Sequence, residues 1–318
     1  MLVAVTGASG LIGSALARRL EAEGHQVLRL TRSRPTGPGQ VRWDPAAGRL
    51  DPDALAKADA VVHLAGAGIG DKLRWTAKVK REILRSRVEG TGLIARTMAE
   101  LAQAPGPGPG GPRVLVCASG AHYYGDRGDE LLTETSGPGE GFLAGVVRQW
   151  EAAADPARAA GLRVVHLRTG PVQDASGAGL PKQVLMFRLG LGGRFGSGRQ
   201  WLSWIALDDI AGAYLHALTR DDLAGPVNAA APNPVTNAEF TATLARVLRR
   251  PAVLHVPAFA PKLVLGEFAD EMLFASIRAV PARLLETGYR FRFPELEPAL
   301  RHTLGRPARG AREAKAPG

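Results

Sequence analysis

One cysteine, Cys117, stands in 318 residues, so no disulfide can close within the chain and a reducing compartment is expected. No apolar run approaches the ~20 residues that a membrane-spanning helix needs. Met1 leads straight into an apolar strand, without the basic leader of a signal peptide. These absences lead to the expectation of a cytoplasmic protein with no membrane partner. The seven histidines lack paired spacing with Cys or acids, which leaves no metal site of the usual kind. Zinc-finger spacings, RNA-binding aromatic motifs and basic-aromatic stripes are missing as well. The net charge of +10 therefore does not read as a nucleic-acid footprint. Two narrower gaps say more: no Asp or Glu occurs between Glu23 and Asp44, and no Lys between Lys80 and Lys182.

What is present is an ordinary globular composition, 45% hydrophobic and 22% charged, in a chain long enough for one large domain or two smaller ones. Leu2–Thr6 reads as a short apolar strand. Leu11, Ile12, Ala15, Leu16 and Leu20 then recur at helical spacing until Gly24. Further strands are expected at 25–31, 59–67, 113–119 and 162–170. Between them lie a long basic helix over 76–102, the linker GPGPGG at 106–111 and a helix over 141–160. Such alternation builds a parallel sheet covered on both faces and wound right-handed. After Gly170 the alternation fails, resuming over 201–218 as strand and helix. A helix over 236–248 follows, with Asn237 as its expected cap, and then mixed short elements to about Leu304.

TGASGLIG lies between the first strand and the first helix. In that setting Gly7 allows a tight turn, Gly10 lets the backbone approach a pyrophosphate at the positive helix N-terminus, and Gly13 lets the helix pack closely. The fold class is therefore α/β, a Rossmann-type doubly wound parallel sheet with a small C-terminal α+β lobe. Residues 1–230 are expected to form the dinucleotide domain, with 171–202 contributing to the substrate lobe. Residues 231–304 form the small lobe, and 305–318 a flexible basic tail within a segment that reads as frayed from Arg301. An NAD site usually places an acid at the end of its second strand to hold the ribose hydroxyls. Here that place reads Leu30-Thr31-Arg32-Ser33-Arg34. A carboxylate would repel a 2′-phosphate and a guanidinium can bind it bidentately, so Arg32 points to NADP(H).

TGASGLIG resembles the extended short-chain dehydrogenase/reductase family. Leu64-Ala65-Gly66, Arg74-Trp75, Ser86-Arg87, Tyr123-Tyr124-Gly125-Asp126, Trp150-Glu151, Leu167-Arg168-Thr169-Gly170 and the run from Phe187 to Gln200 are similar to its atypical epimerase-family, sugar-nucleotide epimerase-like branch. The segments 250–267 and 288–300 resemble that branch's C-terminal domain of unknown function. The resemblance implies cofactor contacts from Gly7, Ser9, Gly10, Leu11, Ile12 and Gly13, with Thr31 and Arg32 at the adenosine phosphate. It adds Leu64 and Ala65, Glu82 and Arg87 on the long helix, and Val172.

It also exposes a loss. Ordinary members use a Tyr-x-x-x-Lys pair, the lysine lowering the tyrosine's pKa for proton exchange, with a serine orienting the substrate oxygen. Counting back from Glu151 puts Leu143 and Val147 at those places, or Phe142 and Val146 one register over. None can ionise. Tyr123 becomes the candidate acid, with Tyr124 and His122 beside it, and Ser119 the candidate orienting group. Ring packing and a backbone-bonded hydroxyl are the competing readings. The glycine-rich loop 192–201 suits either an anionic substrate or a surface turn. Asp208 and Asp209 suit a helix N-terminus rather than acid chemistry, and His63 reads as packed. The expected function is an NADP(H)-binding oxidoreductase or epimerase-like protein acting on a small, nucleotide-linked substrate. The alternative is a non-catalytic NADPH-sensing protein acting through a protein partner.

Overall fold

The computed structural model describes residues 1–104, 111–177 and 179–307; linker residues 106–110 and the basic tail beyond Pro307 lie outside the described residues. One sheet holds β1 (Leu2–Thr6), β2 (Gln26–Thr31), β3 (Gln40–Asp44), β4 (Arg49–Leu50), β5 (Ala60–His63), β6 (Val114–Gly120), β7 (Arg163–Thr169) and β8 (Gly225–Ala229). Its order is β8-β7-β6-β5-β1-β2-β3-β4, parallel except for the closing β3–β4 pair. The principal helices are α1 (Leu11–Ala22), α2 (Ala77–Gln103), α3 (Phe142–Ala152), α4 (Leu180–Arg188), α5 (Leu207–Thr219), α6 (Asn237–Leu248), α7 (Phe259–Leu265) and α8 (Leu296–Thr303). This is the doubly wound α/β fold.

The central strands read as unbroken apolar runs because helices cover both faces. Val3, Val5 and Val62 pack against Leu16 and Leu20 of α1 and Ile210 and Tyr214 of α5. Their neighbours Ala4 and Val61 point the other way, to Leu93, Ile94 and Met98 of α2. That split follows from the two-residue period of a strand. The C-terminal lobe has its own core, in which α4, α6 and α8 place Phe187, Phe240, Leu244 and Leu300 around Trp204.

Several boundaries differ from the sequence reading. The strands β3 and β4 were not anticipated. The helix expected over 141–160 divides at Ala153–Ala154 into α3 and a short helix Asp155–Ala159. Pro156 explains the break, since it has no N–H to continue the ladder. The cap of α6 is Thr236, not Asn237: Thr236 accepts from Glu239 N while the Glu239 carboxylate accepts from Thr236 N. Asn237 instead accepts the Phe195 N–H at 2.9 Å. Arg301 is not frayed but lies in α8, bound to Glu297 at 2.8 Å.

Candidate cofactor cleft and catalytic positions

The strand order turns back on either side of β1, and there the loops leave a crevice at the carboxyl ends of β1, β2 and β5. The cavity measures about 660 Å³. Gly7, Ala8, Ser9 and Gly10 line it from the β1 loop, and Arg29 to Ser33 with Trp43 to Ala46 from β2 and β3. Leu64 to Ala67 and Glu82, Arg85, Ser86 and Glu89 of α2 line the other side.

Backbone geometry explains the glycines. Gly7 has φ +64°, and a Cβ there would lie 3.1 Å from the Leu64 carbonyl carbon and the Ala65 nitrogen. At Gly13 a Cβ would come within 2.1 Å of the Gly7 carbonyl oxygen. The close packing at Gly13 is thus between α1 and the turn itself, rather than helix against strand. Gly10 caps α1 without a side chain, which leaves the first-turn N–H groups available at the cleft. Leu11, Ile12 and Gly13 do not line the cavity, and Ile12 packs on the sheet core.

A buried hydroxyl fixes the opposite wall. Thr6 Oγ1 accepts the N–H groups of Leu64 and Ala65 at 3.0 and 3.2 Å. With both lone pairs taken, its proton points to His63 Nδ1 at 2.8 Å, which sets His63 as the Nε2–H tautomer. Burial, and secondarily the Arg87 charge, holds the His63 pKa down to about 3. His63 is a packed residue.

Charge distinguishes the cations of the cleft. Arg29 is held by Glu21 at 2.6 Å and Arg85 by Glu89 at 3.6 Å. Arg32, exposed beside Thr31 and Ser33, makes no ion pair among the described residues. Glu82 also lines the cleft, on the α2 side. Besides Leu11, Ile12 and Gly13, two more residues named from the resemblance, Arg87 and Val172, stand outside it. Arg87 is buried, donating to the carbonyls of Ala67 and Ile83 at 3.0 and 3.1 Å, and burial lowers its pKa to about 10. It braces the loop that carries the wall. Val172 pairs with Ile205 and packs on the core.

The catalytic positions are apolar. Leu143 and Val147 are both buried, and Leu143 packs with Trp75, Ile83, Val146 and Phe268. A side chain built at Gly120 would meet Val147 Cγ2 at 3.5 Å, so Gly120, not Ser119, faces the place of the missing lysine. Ser119 is corrected accordingly: it is buried, does not line the cavity, and donates to Glu151 Oε1 at 2.7 Å rather than to its own backbone. Glu151 in turn receives two hydrogen bonds from Arg168, at 2.9 and 2.8 Å. Burial pushes the Glu151 carboxyl up, but the bonds and charge of Arg168 outweigh it and the net shift is downward. Arg168 also donates to the Tyr124 hydroxyl at 3.2 Å, and that hydroxyl lies 2.7 Å from Asn228 Oδ1. The Tyr123 ring lies over the same guanidinium, 3.4 Å from ring centroid to Cζ. Its hydroxyl has no hydrogen bond among the described residues. His122 is kept neutral, burial lowering its pKa to about 4. A carboxylate from the C-terminal lobe closes the site: Glu271 accepts the N–H groups of Phe142 and Leu143 at 2.6 and 2.7 Å, capping α3.

The model of the NAD dependent epimerase/dehydratase family matches residues 3–230. The chain belongs to that family. Residues 256–303 match a domain of unknown function, DUF1731. Epimerase family protein ML0860 of Mycobacterium leprae is 40% identical over 96% of this chain and 97% of its own. The human epimerase family protein SDR39U1, solved with NADPH, is 37% identical with a TM-score of 0.83, over 96% of this chain and 99% of that one. A nucleoside-diphosphate sugar epimerase from Corynebacterium glutamicum is 38% identical with a TM-score of 0.78, and this chain spans 58% of it. The Thermus thermophilus UDP-glucose 4-epimerase, at 19% identity and a TM-score of 0.71, shares the fold.

Within this epimerase-family frame, other expectations resolve. The 192–201 loop forms a strand, Gly193–Phe195, and tight turns; Arg194 and Arg199 are exposed. Trp201 is occupied by Asp129, 2.8 Å from its indole N–H, and by Arg278 over its ring. Asp209 accepts from Arg292 N and Phe293 N of the lobe, and Asp208 pairs with Arg292, so both tie the lobe to α5. Sequence reasoning missed Trp43 to Ala46 of the cleft and the role of Glu271. The Glu151–Arg168 pair lay in quoted segments, yet nothing in their spacing marked them as partners.

Proposed function

We propose that this chain is an NADP(H)-dependent oxidoreductase of the epimerase type, acting by hydride transfer on a small, nucleotide-linked substrate. The observation that carries the reading is Arg32: an exposed cation without an ion-pair partner among the described residues, at the end of β2, beside the glycine turn. The cleft fits the cofactor in shape and charge. Gly7, Ser9 and Gly10 with the first turn of α1 would hold the pyrophosphate, and Arg32, Thr31 and Ser33 the adenosine phosphate. When bound, the nicotinamide supplies or accepts a hydride. The NADPH-bound human relative and the sugar-nucleotide epimerase relative support both choices.

This chain's part in the chemistry is to hold and move one proton. Tyr124 is unsuited, because its hydroxyl is already bonded within a buried network and burial raises its pKa. Tyr123 keeps a free hydroxyl on a ring anchored by Arg168, and in this reading it donates to the substrate oxygen. The second reading, an NADPH sensor without turnover, is favoured by the apolar residues at Gly120, Leu143 and Val147.

Stopped-flow mixing of the NADPH-loaded protein with a panel of carbonyl compounds and keto-sugar nucleotides separates the two. The oxidoreductase reading expects cofactor oxidation with some member of the panel. It also expects Tyr123→Phe to slow that step by about 10²–10⁴-fold, the usual weight of a positioned acid. No oxidation across the panel favours the sensor, and an undiminished rate in Tyr123→Phe removes Tyr123 from its role.

A further inference from the structure

The C-terminal lobe carries a surface used neither by the cofactor cleft nor by the catalytic positions. Three pieces build it: α4 with the turn after it, the parallel pair of Gly193–Phe195 with Leu254–Val256, and α7. The pairing of Gly193 with Leu254 and the approach of Gly196 to Ala258, 3.5 Å from a Cβ built there, join them into one face. Leu185, Met186 and Leu189 stand exposed on the first piece, and Val253, at 78%, beside the second. On α7, Phe259, Leu263 at 82% and Val264 are turned to solvent. Contiguous apolar exposure of this kind marks an interaction surface.

Its charge identifies the partner. Residues 180–200 and 249–266 contain seven Lys and Arg and no Asp or Glu. Lys262 is paired with Asp270 at 2.6 Å, and the other six make no ion pair among the described residues. Of the acids that follow α7, Asp270 takes Lys262, while Glu267 is engaged with Lys80 and Glu271 with the start of α3. A second copy of this face would set cation against cation. We propose that the face docks on an anionic lipid bilayer, its leucines, Val253 and Phe259 entering the interfacial zone while the guanidinium and ammonium groups meet headgroup phosphates. Adsorption of this kind needs no spanning helix, and none of the described helices is long and apolar enough to be one.

The test is sedimentation of the full chain with large unilamellar vesicles of phosphatidylcholine, alone or with one-third phosphatidylglycerol. The expected bound fraction is about tenfold higher on the anionic vesicles and collapses as salt is raised. Two double variants, Leu263→Asp with Val264→Asp and Arg188→Glu with Arg250→Glu, should each lose about tenfold in retention. Both replace exposed side chains, and each is checked for an unchanged circular dichroism spectrum and NADPH titration. Retention that is absent, or equal on both vesicle types, overturns the proposal. So does wild-type retention in both variants, which would assign binding to the basic tail. A concentration-dependent dimer that the Leu263/Val264 variant abolishes also overturns it, giving the face to a second copy.

Discussion

Glu151 and Arg168 hold each other through two hydrogen bonds with 13% and 4% of their side chains exposed. An ion pair this deep is costly to break from one side, because the surviving charge stays buried without a counter-charge. Glu151→Ala is expected to lower unfolding free energy by about 3–5 kcal/mol, read from the shift in urea midpoint. A midpoint within error of wild type would mean that Arg168 finds another partner or reaches water. Single residues were unevenly legible. Gly7, Gly10 and Arg32 could be chosen from sequence because each answers a local demand, a turn or a charge at a strand end. Ser119 could not be placed, because a hydroxyl's direction depends on Glu151, 32 residues away on another element.

Among elements, α6 offers the cleanest case. Its capping box joins Thr236 and Glu239 by reciprocal hydrogen bonds, so Thr236→Ala should cost about 1 kcal/mol in denaturant unfolding. A loss near zero would show that the Asn237 bond to Phe195 carries the end of the helix. Apart from β3 and β4, the alternation of strands and helices was readable through β7, since apolar runs and helical periods are local patterns; the edge strand β8 was not read. The β3–β4 edge was not, because Gln40–Asp44 is short, mixed in polarity and preceded by a Pro/Gly-rich stretch. Nor was the cap of α3 by Glu271, which arrives from 128 residues along the chain. That cap gives the C-terminal lobe a physical role: it fixes the first turn of the helix on which the family's tyrosine would stand.

On the scale of the whole molecule, acid should loosen the fold. Burial holds His63 near 3 and His122 and His166 near 4, against 6.5 for a free imidazole. These groups bind protons in the unfolded chain before they do so in the folded one. Their contribution is complete above pH 6.5 and is lost as pH falls toward the folded values. Glu134, Asp209 and Glu271, raised by burial, act with the opposite sign nearer the carboxylate range. The thermal midpoint is therefore expected to fall from pH 7 to pH 5, with a shallower slope in His166→Gln. A flat or rising midpoint would contradict it. The cleft that all three scales converge on joins the β1 turn, the end of β2 and α2, and its central claim is that Arg32 reads a phosphate. Fluorescence titration of wild type and Arg32→Ala with NADPH and NADH tests this most directly. Wild type should prefer NADPH, and the variant should lose about ten- to a hundredfold in NADPH affinity, the weight of a charge-assisted hydrogen bond, with NADH unchanged. Equal affinities in the wild type, or an equal loss for both cofactors in the variant, would contradict the account.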